Sequence, residues 1–197
     1  MAKFFGNLHL VLAVGLVAAI AVMMAFAQYS TAGIANDIIR WLHLFFGVLW
    51  IGLLYYLNFV QVPTMPKIPA ELKPAITGHI APKVFFFFRW AALLTVVTGL
   101  AIAFHPTPSG DPGFGVKALT FSGEGNVNLI GLGMWLALIM AFNVWFIIWP
   151  AQKKILGIVE ASAEEKAAAA PRALIASRTN LLLSLPMLYC MVSANLG

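Results

Sequence analysis

One cysteine, Cys190, stands in a chain of 197 residues. A lone thiol closes no internal disulfide and provides neither CxxC nor CxxCH. An iron–sulfur cluster, a Cys-rich zinc site and a covalently attached c-type haem are therefore excluded within this chain. Charge is scarce too: Asp, Glu, Lys and Arg make up 10% of the residues, against about 25% in an ordinary soluble domain. Only seven residues are acidic, and none falls inside a long apolar run, so no intramembrane carboxylate is at hand to orient an imidazole. Phosphate-cradling loops, nucleophile elbows and internal repeats are also missing. The net charge of +5 is spread over connections between apolar runs, which is a membrane-topology pattern and not a nucleic-acid surface.

Apolar residues are what the chain has in excess. They reach 61%, and the mean hydropathy is +0.91. A soluble globule of this size has too little polar surface to cover so much apolar side chain, so lipid is the expected solvent. A bilayer core of about 30 Å takes roughly 20 apolar residues in a helix. Five runs qualify: about 8–28, 38–62, 84–104, 127–149 and 173–196. The expected fold is an all-α integral membrane protein, a bundle of five transmembrane helices forming a single domain over 1–197. The first run resembles a signal peptide in its Lys3 and Ala25-Phe26-Ala27, but it is longer than a typical apolar signal core and is read as a retained span.

With the N-terminus inside, the inner connections carry Lys3, Lys67, Lys73, Lys83, Lys153, Lys154, Lys166 and Arg172, and the outer ones only Arg40 and Lys117. This positive-inside bias puts the C-terminus outside. The inner connection 63–83 holds Pro63, Pro66, Pro69, Pro74 and Pro82, and reads as a stiff loop with at most a short interfacial helix. The outer connection 105–126, rich in Pro and Gly, reads as a cap on the bundle or a docking loop. Residues 151–171 read as an extension of the fourth helix followed by a short helical turn, with Ser162 and Glu165 at capping-box spacing and Pro171 marking the start of the last span.

Polar residues inside such spans are costly and usually face partners. Near the inner face lie His9, Asn58, Gln61, His79, Arg89, Asn143, Arg178 and Asn180. Near the outer face lie Arg40, Trp41, His43 and His105, with Asn128 on the fourth span. Arg89 and Arg178 each stand about five residues into a span. They are placed either to snorkel to the interface or to hold an anion or haem propionate, since no acid in the spans can pair them. Neutral imidazole is the common ligand of haem iron and copper. The same-side pairs are His43 with His105 and His9 with His79, and His43 and His79 are the candidate metal ligands. Arg178 and Asn180, two residues apart, point roughly 200° apart on a helix. At least one of them must face the bundle, with Asn143 and the surroundings of Arg89 as partners and the His79 connection folded over them.

Several of these positions fall in a recognisable order. Trp41-Leu42-His43 is followed by Gly47-Val48-Leu49-Trp50-Ile51-Gly52 and Tyr55-Tyr56-Leu57-Asn58-Phe59-Val60-Gln61. Then come His79-Ile80-Ala81-Pro82, Phe87-Phe88-Arg89-Trp90, Asn143-Val144-Trp145 and Trp149-Pro150-Ala151-Gln152-Lys153-Lys154. Ser177-Arg178-Thr179-Asn180 and Leu183-Ser184-Leu185-Pro186-Met187-Leu188 complete the series. The chain resembles the membrane domain of the bacterial urate hydroxylase family over about 38–194, apart from the outer connection. The resemblance implies a multi-pass protein of the bacterial inner (plasma) membrane. Members of that family carry further spans and a C-terminal cytochrome c domain; with no CxxCH here, the electron outlet of urate oxidation is not in these residues. What carries over is the scaffold with His43, His79, Arg89, Asn143, Arg178 and Asn180.

The functional expectation is a membrane-integral subunit of electron transfer or of an oxidoreductase complex, with b-type haem as its cofactor, surrounded by lipid and other integral membrane subunits. The alternative is a cofactor-free accessory subunit of a larger inner-membrane complex. A third reading, a copper or small-anion transporter, is opposed by the dispersal of Met23, Met24, Met65, Met134, Met140, Met187 and Met191 and by the lack of repeats.

Overall fold

The computed structural model describes residues 2–26, 31–104 and 113–195. Among these residues the chain is helical apart from short connections, and there is no strand. Five helices are long and apolar enough to cross a membrane. Residue contacts divide the chain into two units, 1–39 and 40–197.

The first unit holds a turn at Ala2–Phe5, α1 (Leu8–Phe26) and the opening of α2 (Thr31–Tyr55). Asn7 starts α1 by accepting the Leu10 N–H on its side-chain oxygen at 3.2 Å, which satisfies one of the donors a helix start leaves free. The helix is apolar around its whole circumference, and no described side chain on it is buried. A helix apolar all round belongs in an apolar surrounding.

The second unit contains the core. In it α2 continues into a π-helical stretch, Tyr56–Gln61, and short helical turns at Val62–Thr64, Met65–Lys67, Ala70–Leu72 and Lys73–Ala75. A second π-helical stretch, Ile76–Ile80, leads into α3 (Ala81–Phe104). The short α4 (Phe114–Thr120) precedes α5 (Asn126–Phe142), which runs through a third π-helical stretch, Asn143–Ile148, into α6 (Trp149–Ile155). The last helix is α7 (Ala163–Ser193).

Two connections differ from the sequence expectation. The stretch expected to be a stiff loop at 63–83 is helical over most of its length, because Pro63, Pro66 and Pro74 each fall in the first turn of a helical piece. A helix start has no use for the N–H that proline lacks. Pro171 does not divide a short turn from the last span. It lies inside α7, as does Pro186, and the neighbouring Ala169, Ala173 and Ala176 are packed tightly enough to hold the helix through the missing bond.

The core joins Trp50, Leu54 and Leu57 with Phe85, Phe88, Ala91 and Ala92 of α3, Ala137 and Met140 of α5, Val144 and Ile148 after it, and Ala176 and Met187 of α7. Small residues let backbones approach closely. A Cβ at Gly131 would collide with the Ala118 carbonyl of α4, and one at Gly133 would lie 2.9 Å from Cys190 Cβ of α7. α4 therefore lies directly against α5. The outside is apolar: Val48, Phe146, Ile175, Leu182 and Leu185 each leave well over half their surface open, while Asn58, Asn143, Asn180 and Ser184 are buried.

Candidate functional site

Three polar assemblies lie in the second unit. The first is an amide seam along α7. Asn143 Nδ2 donates to Asn180 Oδ1 at 2.9 Å, and Asn180 Nδ2 donates to the Met140 carbonyl at 2.9 Å. Asn58 Nδ2 donates to the Leu54 carbonyl and to Ser177 Oγ, both at 2.9 Å. Tyr55 and Ser184 hydroxyls meet at 3.1 Å, and Ser184 also donates to the Leu181 carbonyl at 2.7 Å. Ser177, Asn180 and Ser184 are spaced three and four residues apart and so share one face of α7. Asn58 and Asn143 both stand in π-helical stretches. An i→i+5 turn widens a helix locally, and here each widened turn carries one amide of the seam.

The second assembly is the His43 corner. His43 Nδ1 lies 2.9 Å from the Thr95 carbonyl and 3.2 Å from Thr98 Oγ1. A carbonyl can only accept, so the network assigns the proton to Nδ1. Thr98 Oγ1 gives its own proton to the Leu94 carbonyl at 2.6 Å, which leaves its lone pairs for the second branch. Nε2 is then the nitrogen with a lone pair, and no side chain among the described residues bonds it. Gly99 makes room for the ring, since a Cβ there would come within 2.8 Å of His43 Cε1.

The third assembly surrounds Arg89. Its guanidinium carbon stands 3.9 Å from the centre of the Trp149 ring and 5.3 Å from that of Phe86. Trp145 donates its indole N–H to the Arg89 carbonyl at 3.1 Å, and Trp90 and Trp145 meet edge to face at 5.5 Å.

These positions sort the sequence candidates. Asn143 and Asn180 come together as a bonded pair. Arg178 points away from it and is exposed, as the angular separation from Asn180 requires. Arg89 and Arg178 do not share a site: Arg89 is taken up by aromatic rings and Arg178 makes no contact with them. His79 is exposed in the second π-helical stretch and does not cover the seam. It lies roughly 24 Å along the α3 axis from Thr95 at 1.5 Å per residue, so His43 and His79 cannot ligate one centre. His9 is exposed within the first unit, and His105 lies outside the described residues. The sequence reading missed Thr95, Thr98 and Gly99. Their signal was present in two hydroxyls and a glycine at one level of an otherwise apolar helix, where threonine bonds its own backbone and a glycine admits a neighbour. Trp50 was not singled out either; its Nε1 is buried without a partner among the described residues, as are Asn58 Oδ1, Gln61 Oε1 and Asn128 Oδ1 of the sequence candidates.

Two kinds of inorganic centre make different demands. A bare metal ion needs about four protein donors, and among the described residues no three His, Cys, Asp or Glu side chains converge. A haem brings four nitrogens of its own and asks the protein for one or two axial ligands. His43, with Nδ1–H fixed on a backbone carbonyl, has the outer-shell arrangement that orients such a ligand.

Residues 116–197 match the family model described as urate oxidase N-terminal. The motifs of 38–104 lie before the matched segment. No curated protein and no solved structure matches the chain.

Proposed function

From a chain whose residues 116–197 carry the urate oxidase N-terminal family match, we propose a membrane-integral, multi-pass subunit of an electron-transfer or oxidoreductase complex, holding b-type haem through His43. One observation carries the reading: the 2.9 Å bond from His43 Nδ1–H to the Thr95 carbonyl, which turns Nε2 into the ligand nitrogen. When bound, the haem would supply one-electron transfer between ferric and ferrous iron. The protein's part is to fix the imidazole plane against Gly99 and keep the tautomer. The bilayer placement draws on the five long apolar helices and on the excess of Lys and Arg at one side. It sets the N-terminus inside and the C-terminus outside, in the bacterial inner membrane that the family resemblance implies. Urate chemistry is not part of the proposal, because the haem c outlet of that activity has no ligand set in these residues.

The competing reading is a cofactor-free accessory subunit. The apolar circumference of α1 favours it, since such a helix suits an apolar partner helix as well as lipid. A pyridine haemochrome spectrum of the protein purified in mild detergent separates the two. The proposal expects a b-type α band at near one haem per chain. Its absence from protein expressed with ample haem removes the haem claim and leaves the accessory subunit.

A further inference from the structure

Arg89 and Lys153 share one indole. The Lys153 ammonium stands 6.0 Å from the centre of the same Trp149 ring that Arg89 covers at 3.9 Å. Two like charges held at one ring repel each other, and a half-dry interface strengthens that repulsion. Among the described residues neither cation is bonded to a carboxylate; the nearby pair Lys154–Glu165, at 2.8 Å, is separate. Lys83 adds a third cation at the start of α3, with Phe86, Phe87 and Trp90 at the following i+3, i+4 and i+7 positions of one face. All three aromatics leave 40% or more of their surface open.

The geometry decides what this assembly can bind. The Arg89 guanidinium carbon stands 3.9 Å from the Trp149 ring centre, and among the described residues no hydrogen bond takes up its N–H donors, whose fork suits an oxyanion. Those donors match a phosphate in two-point fashion, and lysine adds a point charge. An exposed aromatic face directly beside the cations suits glycerol and the first methylenes of an acyl chain. We infer that Arg89, Lys153 and Trp149 bind the phosphodiester of an anionic phospholipid, drawn from the leaflet at the end where α3 begins. This goes beyond the haem reading and rests only on the membrane placement. The anion sits between the two cations, and the acyl chain runs along Phe86 and Trp90.

The test is lipid binding by native mass spectrometry of the whole chain, released from neutral detergent and titrated with phosphatidylglycerol, phosphatidylcholine or inorganic phosphate. Phosphatidylglycerol is expected to bind more tightly than phosphatidylcholine, and inorganic phosphate neither to bind nor to compete. Arg89→Gln and Lys153→Gln should each weaken phosphatidylglycerol roughly fivefold, the effect of losing one interfacial cation. Lys166→Gln, which removes the same charge from an exposed site on α7, should leave the affinity unchanged. Equal affinity for the two lipids overturns the inference, as does an equal loss in Lys166→Gln or full competition by inorganic phosphate. Should Arg89→Gln fail to fold, Lys153→Gln on the partly open α6 decides alone. The haemochrome spectrum reports on a different site, so either idea can fail without the other.

Discussion

The amide seam and the His43 corner are both polar assemblies inside an apolar helical unit, and they end differently. In the seam, Asn143 and Asn180 bond each other, Asn58 bonds Ser177, Tyr55 meets Ser184, and the remaining donors go to the Leu54, Met140 and Leu181 carbonyls. At the corner, one nitrogen of His43 is fixed and the other is left open. Side chains bonded across helices in a dry interior specify packing, because their bonds are lost if the register slips, and of the seam's amide atoms only Asn58 Oδ1 is a buried orphan among the described residues. An anchored donor with an open lone pair has nothing to gain for packing from its second nitrogen. The contrast fits a packing role for the seam and the proposed ligand role for the corner, although sequence alone put His43, Asn143 and Asn180 on one list of candidates.

The sharpest way to break this contrast is to truncate each in turn. His43→Ala should abolish the b-type absorbance altogether while the chain still unfolds in one transition at nearly the parent temperature. Asn180→Ala should do the reverse and keep the absorbance. Haemochrome spectra and thermal melts of the two variants in the same detergent check this. Retention of the full spectrum in His43→Ala would move the cofactor, if any, away from the corner.

Gly99→Ala acts on the corner without touching the ligand. The new Cβ would press on His43 Cε1 from 2.8 Å, and the ring must tilt or the helices part. Crowding of this kind costs about 1–3 kcal/mol. Haem retention during dilution should fall roughly fivefold, the equivalent of about 1 kcal/mol, or half the middle of that range, falling on the bound state. An unchanged off-rate would show that the ring has room the geometry does not suggest.

Asn180→Ala strands the Asn143 amide and frees the Met140 carbonyl. Leaving a buried group unpaired costs about 1–3 kcal/mol, and in lipid the measured interhelical bonds average nearer 0.6 kcal/mol. A loss of about 1–2 kcal/mol in a reversible detergent unfolding series is expected. Asn143→Ala in the same background should then cost much less than it does alone, since its partner has already gone. Strict additivity of the two would separate residues that the structure bonds.

What could be read from the chain beforehand follows the range of each interaction. The five long helices announce themselves, because twenty consecutive apolar residues are a local property. Asn143 and Asn180 could be paired by depth, since few other amides stand in the spans. Asn58 was visible as an intramembrane polar residue, but its bond to Ser177 depends on the widened turn Tyr56–Gln61. A π-helical turn leaves no mark in composition or periodicity, so that part of the seam was not legible. Arg89, like Arg178, read as a residue that snorkels to the interface or holds an anion or haem propionate. The sequence showed Trp149 only as the first residue of a motif and could not bring it over the guanidinium, because the two residues lie 60 positions apart and meet only in the folded chain.

A further polar arrangement, the start of α7, shows what similar bonds are worth in water. Ser162 Oγ accepts the Glu165 N–H at 3.2 Å, Glu165 returns a bond to the Ser162 N–H at 3.0 Å, and Lys154 reaches Glu165 at 2.8 Å. This end of α7 precedes the apolar stretch and is open to solvent. Lys154, then the Ser162 backbone N–H, holds the Glu165 carboxyl below its ordinary range. A depressed carboxylate contributes stability above its unfolded value, and that contribution is lost as the pH falls through the folded one. Solvent screening keeps the ion pair weak. Ser162→Ala should loosen the first turn of α7 by about 1 kcal/mol, seen as faster amide exchange at 163–166 with no change in the melting of the whole chain. Acidification should produce the same local fraying in the parent, and Glu165→Gln should show it already at neutral pH. If exchange at these amides stays as slow after either substitution, the first turn is held from elsewhere, by the packing of Ala169 and Ala173 against Ala151.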